Sequence, residues 1–392
     1  MSLLGHHMLE TVFWVNLGLI AYTYFLYPLA LQVITSLRGR RRGMSPDLPS
    51  GDDDALPQVT MVISAYNEDS VLADKIKNCQ EIDYPADKIS FFIGLDGSDD
   101  ASWAILHGVA DERFRTLHSR IRRGKVQMIN YLMKQVAGDI VVFSDANTMY
   151  RPDAVGQLVR QFDREDVGAV IGKLELIARA DDASACRTES LYWRYENWLK
   201  QMESRLGAVS SINGGIFAIR RELYEEIPSQ AVTEDQVLGM KIMVRGYRCL
   251  VADQARATES VSNFRGELRR RIRISAGNFQ SLFLVPGILN PLRGWVSFSF
   301  VSHKLIRWMV PFCLLAVLLS NIFLIGSRPY GSALVFQAMF YASGLLGAVA
   351  PVGWKILAVP KYFLAMNLAI LIGFGRFLGR RHRVTWAKAS GR

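Results

Sequence analysis

The chain has 392 residues, 50% of them hydrophobic by type and 21% charged, and a formal net charge of +10. It is longer than one core of roughly 150–250 residues requires, and its most apolar stretches lie at the two ends, so ends and middle are predicted to live in different solvents. The basic excess flanks the apolar segments and forms no stripe interleaved with aromatics. This excludes nucleic acid as the natural partner and favours anionic lipid headgroups. Cys79, Cys186, Cys249 and Cys313 are too scattered for a zinc site or a disulfide framework.

Residues 8–37 form the first apolar segment, interrupted by Glu10, Asn16 and Gln32. It outruns the roughly 7–15 residues of a signal-peptide core and lacks a small-residue cleavage site, so it is predicted to remain as a transmembrane helix. Arg38, Arg40, Arg41 and Arg42 follow at once and favour the cytosol for that end, which puts the middle of the chain there too. Residues 38–57 carry Pro46, Pro49, Pro57 and the acidic run Asp52, Asp53, Asp54, and read as an irregular linker.

Beyond it, apolar runs at 59–64, 89–95 and 139–144 alternate with helix-like stretches at 69–81, 101–110 and 125–136, the pattern of a parallel sheet. Such sheets bind ligands beyond the carboxyl ends of their strands. The residues there are Ala65, Tyr66, Asn67 and Glu68; then Asp96 to Asp100; then Asp145, Ala146 and Asn147. Helix capping alone would explain any one of these turns. No G-x-G-x-x-G follows the first strand, which excludes a dinucleotide-binding dehydrogenase.

Further along come the glycine loop Asn213, Gly214, Gly215, the run Thr233, Glu234, Asp235, and a basic amphipathic helix at 266–282 with Leu268, Ile272, Ser275, Phe279 and Leu282 on one stripe. Apolar segments at 305–325, 332–354 and 359–378 are each near the roughly 20 residues a span needs. A cytosolic middle followed by three spans leaves Arg380, Arg381 and Arg383 outside, against the positive-inside bias. A re-entrant or interfacial segment would relieve that conflict.

Taken in order, SAYNE (64–68), LDGSDD (95–100), RRGKVQMIN (122–130), SDAN (144–147), NGGIFAIRR (213–221) and TED (233–235) resemble the family 2 inverting glycosyltransferases. The resemblance covers about residues 58–282 and implies an α/β GT-A fold, a Rossmann-like nucleotide-sugar domain with a mostly parallel sheet, here with transmembrane α-helices at both ends. The membrane layout is similar to hyaluronan, cellulose, chitin-oligosaccharide and poly-N-acetylglucosamine synthases. The expected order is helix 8–37, linker 38–57, cytosolic glycosyltransferase domain 58–262, amphipathic interface segment 263–295, about three transmembrane or interfacial helices over 296–379, and basic tail 380–392. This makes the chain a multi-pass protein of the plasma or inner membrane.

A nucleotide-sugar donor needs a stacking surface, polar groups for the nucleoside and positive charge for the diphosphate. Tyr66 could stack on the base, Asn67 and Glu68 could bond the nucleoside, and Asp96 could accept from base or ribose. Lys125 could reach the diphosphate, and Asp145 with Asn147, two apart in extended geometry, could share one Mg²⁺ or Mn²⁺. The resemblance implies a uridine donor, Asp235 as catalytic base, and Glu234 with Asn213–Gly215 as acceptor contacts. Where processive relatives carry Gln-x-x-Arg-Trp, this chain has Arg270, Arg273 and Ile274, which loses the Trp platform and puts processive synthesis in question. The leading expectation is therefore sugar transfer with inversion onto a membrane-linked glycan in polysaccharide synthesis. A single addition onto a lipid or polyprenyl-linked acceptor is the alternative, and a non-catalytic scaffold or transporter subunit the reading from another class. Four helices make a narrow bundle for export, which leaves room for a homodimer or a partner export subunit.

Overall fold

A computed structural model describes residues 3–41, 56–177, 183–260, 264–349 and 355–379. Arg42, the acidic run and the tail from Arg380 onward lie outside the described residues. The chain opens with helices α1 (Leu3–Ala21) and α2 (Tyr27–Arg41), joined by a π-helical turn at Tyr22–Leu26. Pro28 has no N–H to return to residue 24, and the wider turn sits where that bond is lost.

Strands β1 (Val59–Ala65), β2 (Ile89–Asp96), β3 (Phe114–Ser119) and β4 (Ile140–Asp145) run parallel in the order β3-β2-β1-β4. The β-branched and aromatic residues of β1, β2 and β4 are buried on both faces, as central parallel strands require, while β3 forms the more exposed edge. Helices α3 (Asp69–Gln80), α4 (Ser102–His107) and α5 (Lys125–Met133) make the crossovers. The register sets Ser64 beside Asp145 and Asp96 beside Ser119, so the polar residues after β1, β2 and β4 emerge at one edge.

The sheet continues through β5 (Thr148–Tyr150), β6 (Val167–Ile177), β7 (Phe217–Arg220) and β8 (Arg248–Ser260), with α6 (Ala154–Val159), α7 (Ala183–Arg205) and α8 (Glu234–Val244) between them. The full order is β3-β2-β1-β4-β7-β6-β8-β5. Pairing of β7 and β5 with their neighbours is antiparallel, and register shifts between β6 and β8 bend that half of the sheet. The three helices and strands β1, β2 and β4 fall within a few residues of the sequence reading, while β3 was not read there. The bent half had no alternating signal to announce it.

Helix α9 (Phe264–Leu284) leads to α10 (Trp295–Ser299), a second π-helical turn at Phe300–Leu305, and α11 (Ile306–Phe323), α12 (Arg328–Val349) and α13 (Lys355–Leu378). Among the described residues, four helical stretches are long and apolar enough to cross a membrane: Leu3–Leu37, Trp295–Phe323, Arg328–Val349 and Ile356–Leu378. They turn Phe25, Leu29, Leu319, Phe323, Phe336 and Leu345 outward. A patch of that kind calls for lipid rather than water around it. Cys79, Cys249 and Cys313 are buried free thiols.

The basic helix α9 differs from the expected interface segment. Ile272, Ser275, Ala276 and Phe279 are buried, with Phe279 edge-on to Phe374 at 4.9 Å and near Trp308 at 6.0 Å, so its apolar stripe is spent on α13 and α11. One continuous core runs from Val62 and Phe143 through α5 and α8 to Phe279, Phe300 and Trp308, binding catalytic domain and membrane helices together. Gly373 makes this possible, because a Cβ there would meet Ser275 Cβ at 2.6 Å and the Ile272 carbonyl at 2.8 Å. Gly373→Val should cost about 1–3 kcal/mol through overpacking and lower the thermal midpoint in detergent. Gly375→Ala, with nothing within 4 Å of the new methyl, should leave it unchanged or raise it; equal midpoints for the two variants would refute this packing.

Candidate active site

The first loop of the site holds itself together. Asn67 sits at φ +54°, a left-handed conformation asparagine tolerates. Its amide is spent on the next loop, with Nδ2 donating to Asp99 Oδ1 and Oδ1 accepting from Asp99 N at 3.0 Å. Glu68 N donates to Ser102 Oγ at 3.2 Å and Asp69 N to Asp100 Oδ2 at 3.1 Å. Asp96 is buried, and its two oxygens accept from Arg123 N and Gly124 N, each at 2.7 Å. Asn67 and Asp96, read from the sequence as nucleoside contacts, brace these loops through the bonds just described, and a buried carboxylate such as Asp96 calls for such donors. Ala65 is likewise buried at the end of β1. Tyr66 is half-buried with the Arg122 guanidinium 3.6 Å over its ring, a cation on an aromatic face.

Gly124 takes φ +99°, which only glycine adopts readily, and so starts α5 with Lys125 aimed into the site. Lys125 Nζ lies 2.6 Å from Asp145 Oδ1 and 2.7 Å from Glu234 Oε1. Burial works against its charge, yet Asp145 and Glu234 outweigh burial and hold its pKa above the ordinary lysine value. Asp145 is kept below the usual carboxylate range against the effect of burial, by Lys125 first and then by Arg270 and Arg273. These four charged side chains come from α5, the end of β4 and helix α9, three elements distant in sequence that the fold brings to one point.

Asp145 and Asn147 are not successive positions of one extended strand. β4 ends at Asp145, and Ala146–Asn147 form the turn into β5. The Asn147 amide donates to Glu259 Oε1 at 3.3 Å, and Arg270 reaches the same oxygen at 3.4 Å. Glu259, at the end of β8, is buried; burial raises its pKa against the pull of Arg270, and its Oε2 has no hydrogen-bond partner. Arg273 donates to the Val232 carbonyl at 3.3 Å, beside the run that carries Glu234 and Asp235.

Behind the turn, Lys75 is fully buried and donates to Ser144 Oγ at 2.8 Å and to the Thr148 carbonyl, with Tyr150 4.8 Å away beneath it. Its signal in the sequence is a lysine on the Leu72, Ile76, Cys79 face of α3. Glu259 carried none.

On the other side, Tyr150 OH donates to the carbonyls of Phe143 and, at 3.2 Å, Gly215. A Cβ on Gly214 would stand 3.1 Å from Asp235 Oδ2, so glycine there keeps the carboxylate open. Asn213 accepts from Lys200 Nζ at 2.7 Å. Asp235 follows Glu234 on the first turn of α8, where its Oδ1 accepts from Gln236 N at 2.8 Å. Burial, and then the neighbouring Glu234, push its pKa up to about 6, with Lys125 opposing. Thr233, at the N-cap position, makes no capping bond, so the run is not explained as a cap. The arrangement offers a carboxylate that titrates near neutrality, a cluster of cations, and oxygen ligands at the far side.

The family model described as "Glycosyltransferase like family 2" matches residues 57–276, and the chain belongs to that family. It is an enzyme of the glycosyltransferase class. An N-acetylglucosaminyltransferase of Mesorhizobium japonicum is 25% identical over 315 residues, covering 75% of this chain and 72% of that one. A poly-beta-1,6-N-acetyl-D-glucosamine synthase of Staphylococcus aureus is 25% identical over 240 residues, which is 60% of this chain and 58% of the synthase. The fold matches the mannosyltransferase PcManGT from Pyrobaculum calidifontis, solved in complex with GDP-Man and Mn²⁺, with a TM-score of 0.68, 21% identity and coverage of 95% and 99% of the two chains.

Lys125→Met would leave Asp145, Glu234 and Asp235 close together without their shared counter-charge, at a cost of about 3–5 kcal/mol for a broken buried pair. Carboxylates stripped of a cation have raised folded pKa values, so the loss should be partly recovered at low pH and largest at high pH. Unfolding in detergent at pH 5 and pH 8 checks this: the deficit should be greater at pH 8, and a pH-independent deficit would contradict the ionic account.

Proposed function

We propose that this glycosyltransferase moves a sugar from a UDP-sugar to a membrane-linked acceptor with inversion, Asp235 serving as the base. The observation that carries the reading is a carboxylate with a pKa near 6, uncovered by Gly214, across from the cation cluster around Asp145. A base of that strength is deprotonated at neutral pH yet still binds a proton well, which suits removal of a hydroxyl proton during attack. Glu234, paired with Lys125, keeps the like charge beside Asp235 and so sustains its basicity.

Residues that would hold a divalent ion are Asp145, the Asn147 carbonyl and the unpartnered Glu259 Oε2, all hard oxygen donors suited to Mg²⁺ or Mn²⁺. When bound, such an ion offsets charge on the leaving diphosphate. Arg270, Arg273 and Lys125 add positive charge on the same side and orient the diphosphate. Tyr66 faces the nucleoside with Arg122 over its ring. Two relatives are named for N-acetylglucosamine, which makes UDP-N-acetylglucosamine the first donor to test. The catalytic domain is assigned to the cytosol, where nucleotide sugars are made, by the arginines after the first span. Polymer synthesis is favoured over single addition by the poly-N-acetylglucosamine synthase relative.

Purified protein in nanodiscs should release UDP from UDP-N-acetylglucosamine with Mg²⁺ or Mn²⁺ and lose that activity with EDTA. Asp235→Asn should lower kcat by about 100- to 10,000-fold while UDP binding persists. The wild-type rate should fall as pH drops through about 6, where Asp235 gains its proton, and level off above. An Asp235→Asn enzyme with wild-type turnover would remove the base assignment. Product length on a gel separates a polymer from a single added sugar.

A further inference from the structure

A second set of charges, outside the catalytic cleft, lies fully enclosed between α7, the 208–213 segment and the membrane helix that begins at Trp295. Glu196 on α7 accepts from Arg307 at 2.8 Å and from Lys304, and lies 3.1 Å from His303 Nε2. Glu203, one face further along, accepts from Tyr27 OH at 2.8 Å and lies 2.7 Å from His303 Nδ1. Its other oxygen accepts from Ser210 N at 3.0 Å and Ser210 Oγ at 2.9 Å. His303 and Glu203 have no solvent exposure. The two π-helical turns meet here, with Tyr22 OH 2.8 Å from Ser302 Oγ and Thr23 Oγ1 donating to the Ser302 carbonyl.

Two links run from this cluster to the cleft. Gln236 Nε2 donates to the Ser210 carbonyl at 3.2 Å, tying the segment to the residue after Asp235. Lys200, one turn from both Glu196 and Glu203 on α7 and 4% exposed, ends its side chain on Asn213 Oδ1 at 2.7 Å. Asn213 precedes Gly214, the residue packed against the Asp235 carboxylate. A buried ammonium is costly unless it holds something in return. What it holds is the loop on which access to the base depends.

We propose that Lys200 is a positioning residue for the acceptor side of the site: its ammonium fixes Asn213, and through it the Gly214–Gly215 loop, to the charge cluster anchored on the membrane helices. The inference rests on the reading of that loop as the acceptor contact. Lys200 faces Glu196 and Glu203 on its own helix, Lys304 on the membrane helix and Cys249 on β8, with His303 and Arg307 across Glu196. Burial, then Lys304, push its pKa down to about 8 against the two glutamates. The ammonium is therefore present below pH 8 and lost above it.

The test uses the full chain in nanodiscs with UDP-N-acetylglucosamine and Mn²⁺, supplied with an N-acetylglucosamine tetramer or with undecaprenyl phosphate as acceptor probes. Lys200→Met should lower transfer about 10- to 100-fold through misplacement of the loop while calorimetric UDP affinity stays within about twofold. The fall in wild-type transfer above pH 8 should disappear in the variant. Asn213→Ala, which removes the acceptor of the Lys200 ammonium, should give a similar loss, and the double variant little further loss. Hydrogen exchange should speed up over residues 208–217 in Lys200→Met and stay unchanged in β1 to β4. Unchanged loop exchange and transfer in an active enzyme, or multiplicative losses in the double variant, would overturn the positioning role alone. A loosened loop in a chain whose wild type turns over no UDP-sugar would overturn the transferase reading of the loop and the role with it.

Discussion

Lys125 held between Asp145 and Glu234 is the contact around which the cleft is organised. Each partner comes from a different part of the chain: the start of α5, the end of β4 and the start of α8. Without the ammonium, carboxylates from two elements would repel across a buried space, and neither the end of β4 nor the start of α8 would rest where it does. The device that aims Lys125 is Asp96, whose two oxygens clamp the backbone of Arg123 and Gly124 just before it. Asp96 therefore acts on the chemistry at one remove, by setting the path of the loop.

Because the glycosyltransferase domain and the membrane helices share one core, the side of the cleft that carries Asp235 is built partly by the membrane region. Phe279 and Trp308 bury against each other, α13 closes on α9 at Gly373, and α8, which carries Asp235, packs on the same core. The membrane-linked acceptor proposed above would meet a wall already fixed to the membrane helices. A loosely tethered soluble domain could not hold its base at a set height above the lipid surface. Here that height follows from packing, and burial of apolar side chains at roughly 25 cal/mol per Å² is a stronger tether than any linker.

Strands β1, β2 and β4 could be read from the chain because they are continuous apolar runs followed by polar turn residues, a pattern that depends on neighbours close in sequence, whereas the edge strand β3, FRTLHS, carries no such run. The bent half could not: β6, β7 and β8 pair antiparallel and parallel in one sheet through contacts spread from Val167 to Ser260, and local composition carries no record of that order. The same division separates the site residues. Lys125, Asp145 and Asp235 follow strand ends or open helices and stood out. Glu259, one residue from the end of a long strand, and Lys200, inside a long helix, have surroundings that give no local cue, and only three-dimensional packing brings Glu259 beside Arg270 and Lys200 beside Asn213. Asn67 and Asp96 were visible from their place in strand-end turns, but their loop-bracing bonds to Asp99, Arg123 and Gly124 were not, since turn-bracing and ligand-binding draw on the same residue types.

Electrostatics links the two halves of the cleft. Lys125 lowers the proton affinity of Asp235 as well as that of Asp145. An anionic diphosphate arriving beside Asp145 offers Lys125 a further partner, and any share of its charge given to the phosphates is withdrawn from Glu234 and Asp235. The carboxylate then faces Glu234 less screened than before, and a base with a higher proton affinity is the consequence. On the proposed assignment, occupancy of the donor side would strengthen Asp235 as a base through a single ammonium. The geometry that makes this work is the short reach of Lys125 to both carboxylates, which a longer or fully solvated side chain would not provide.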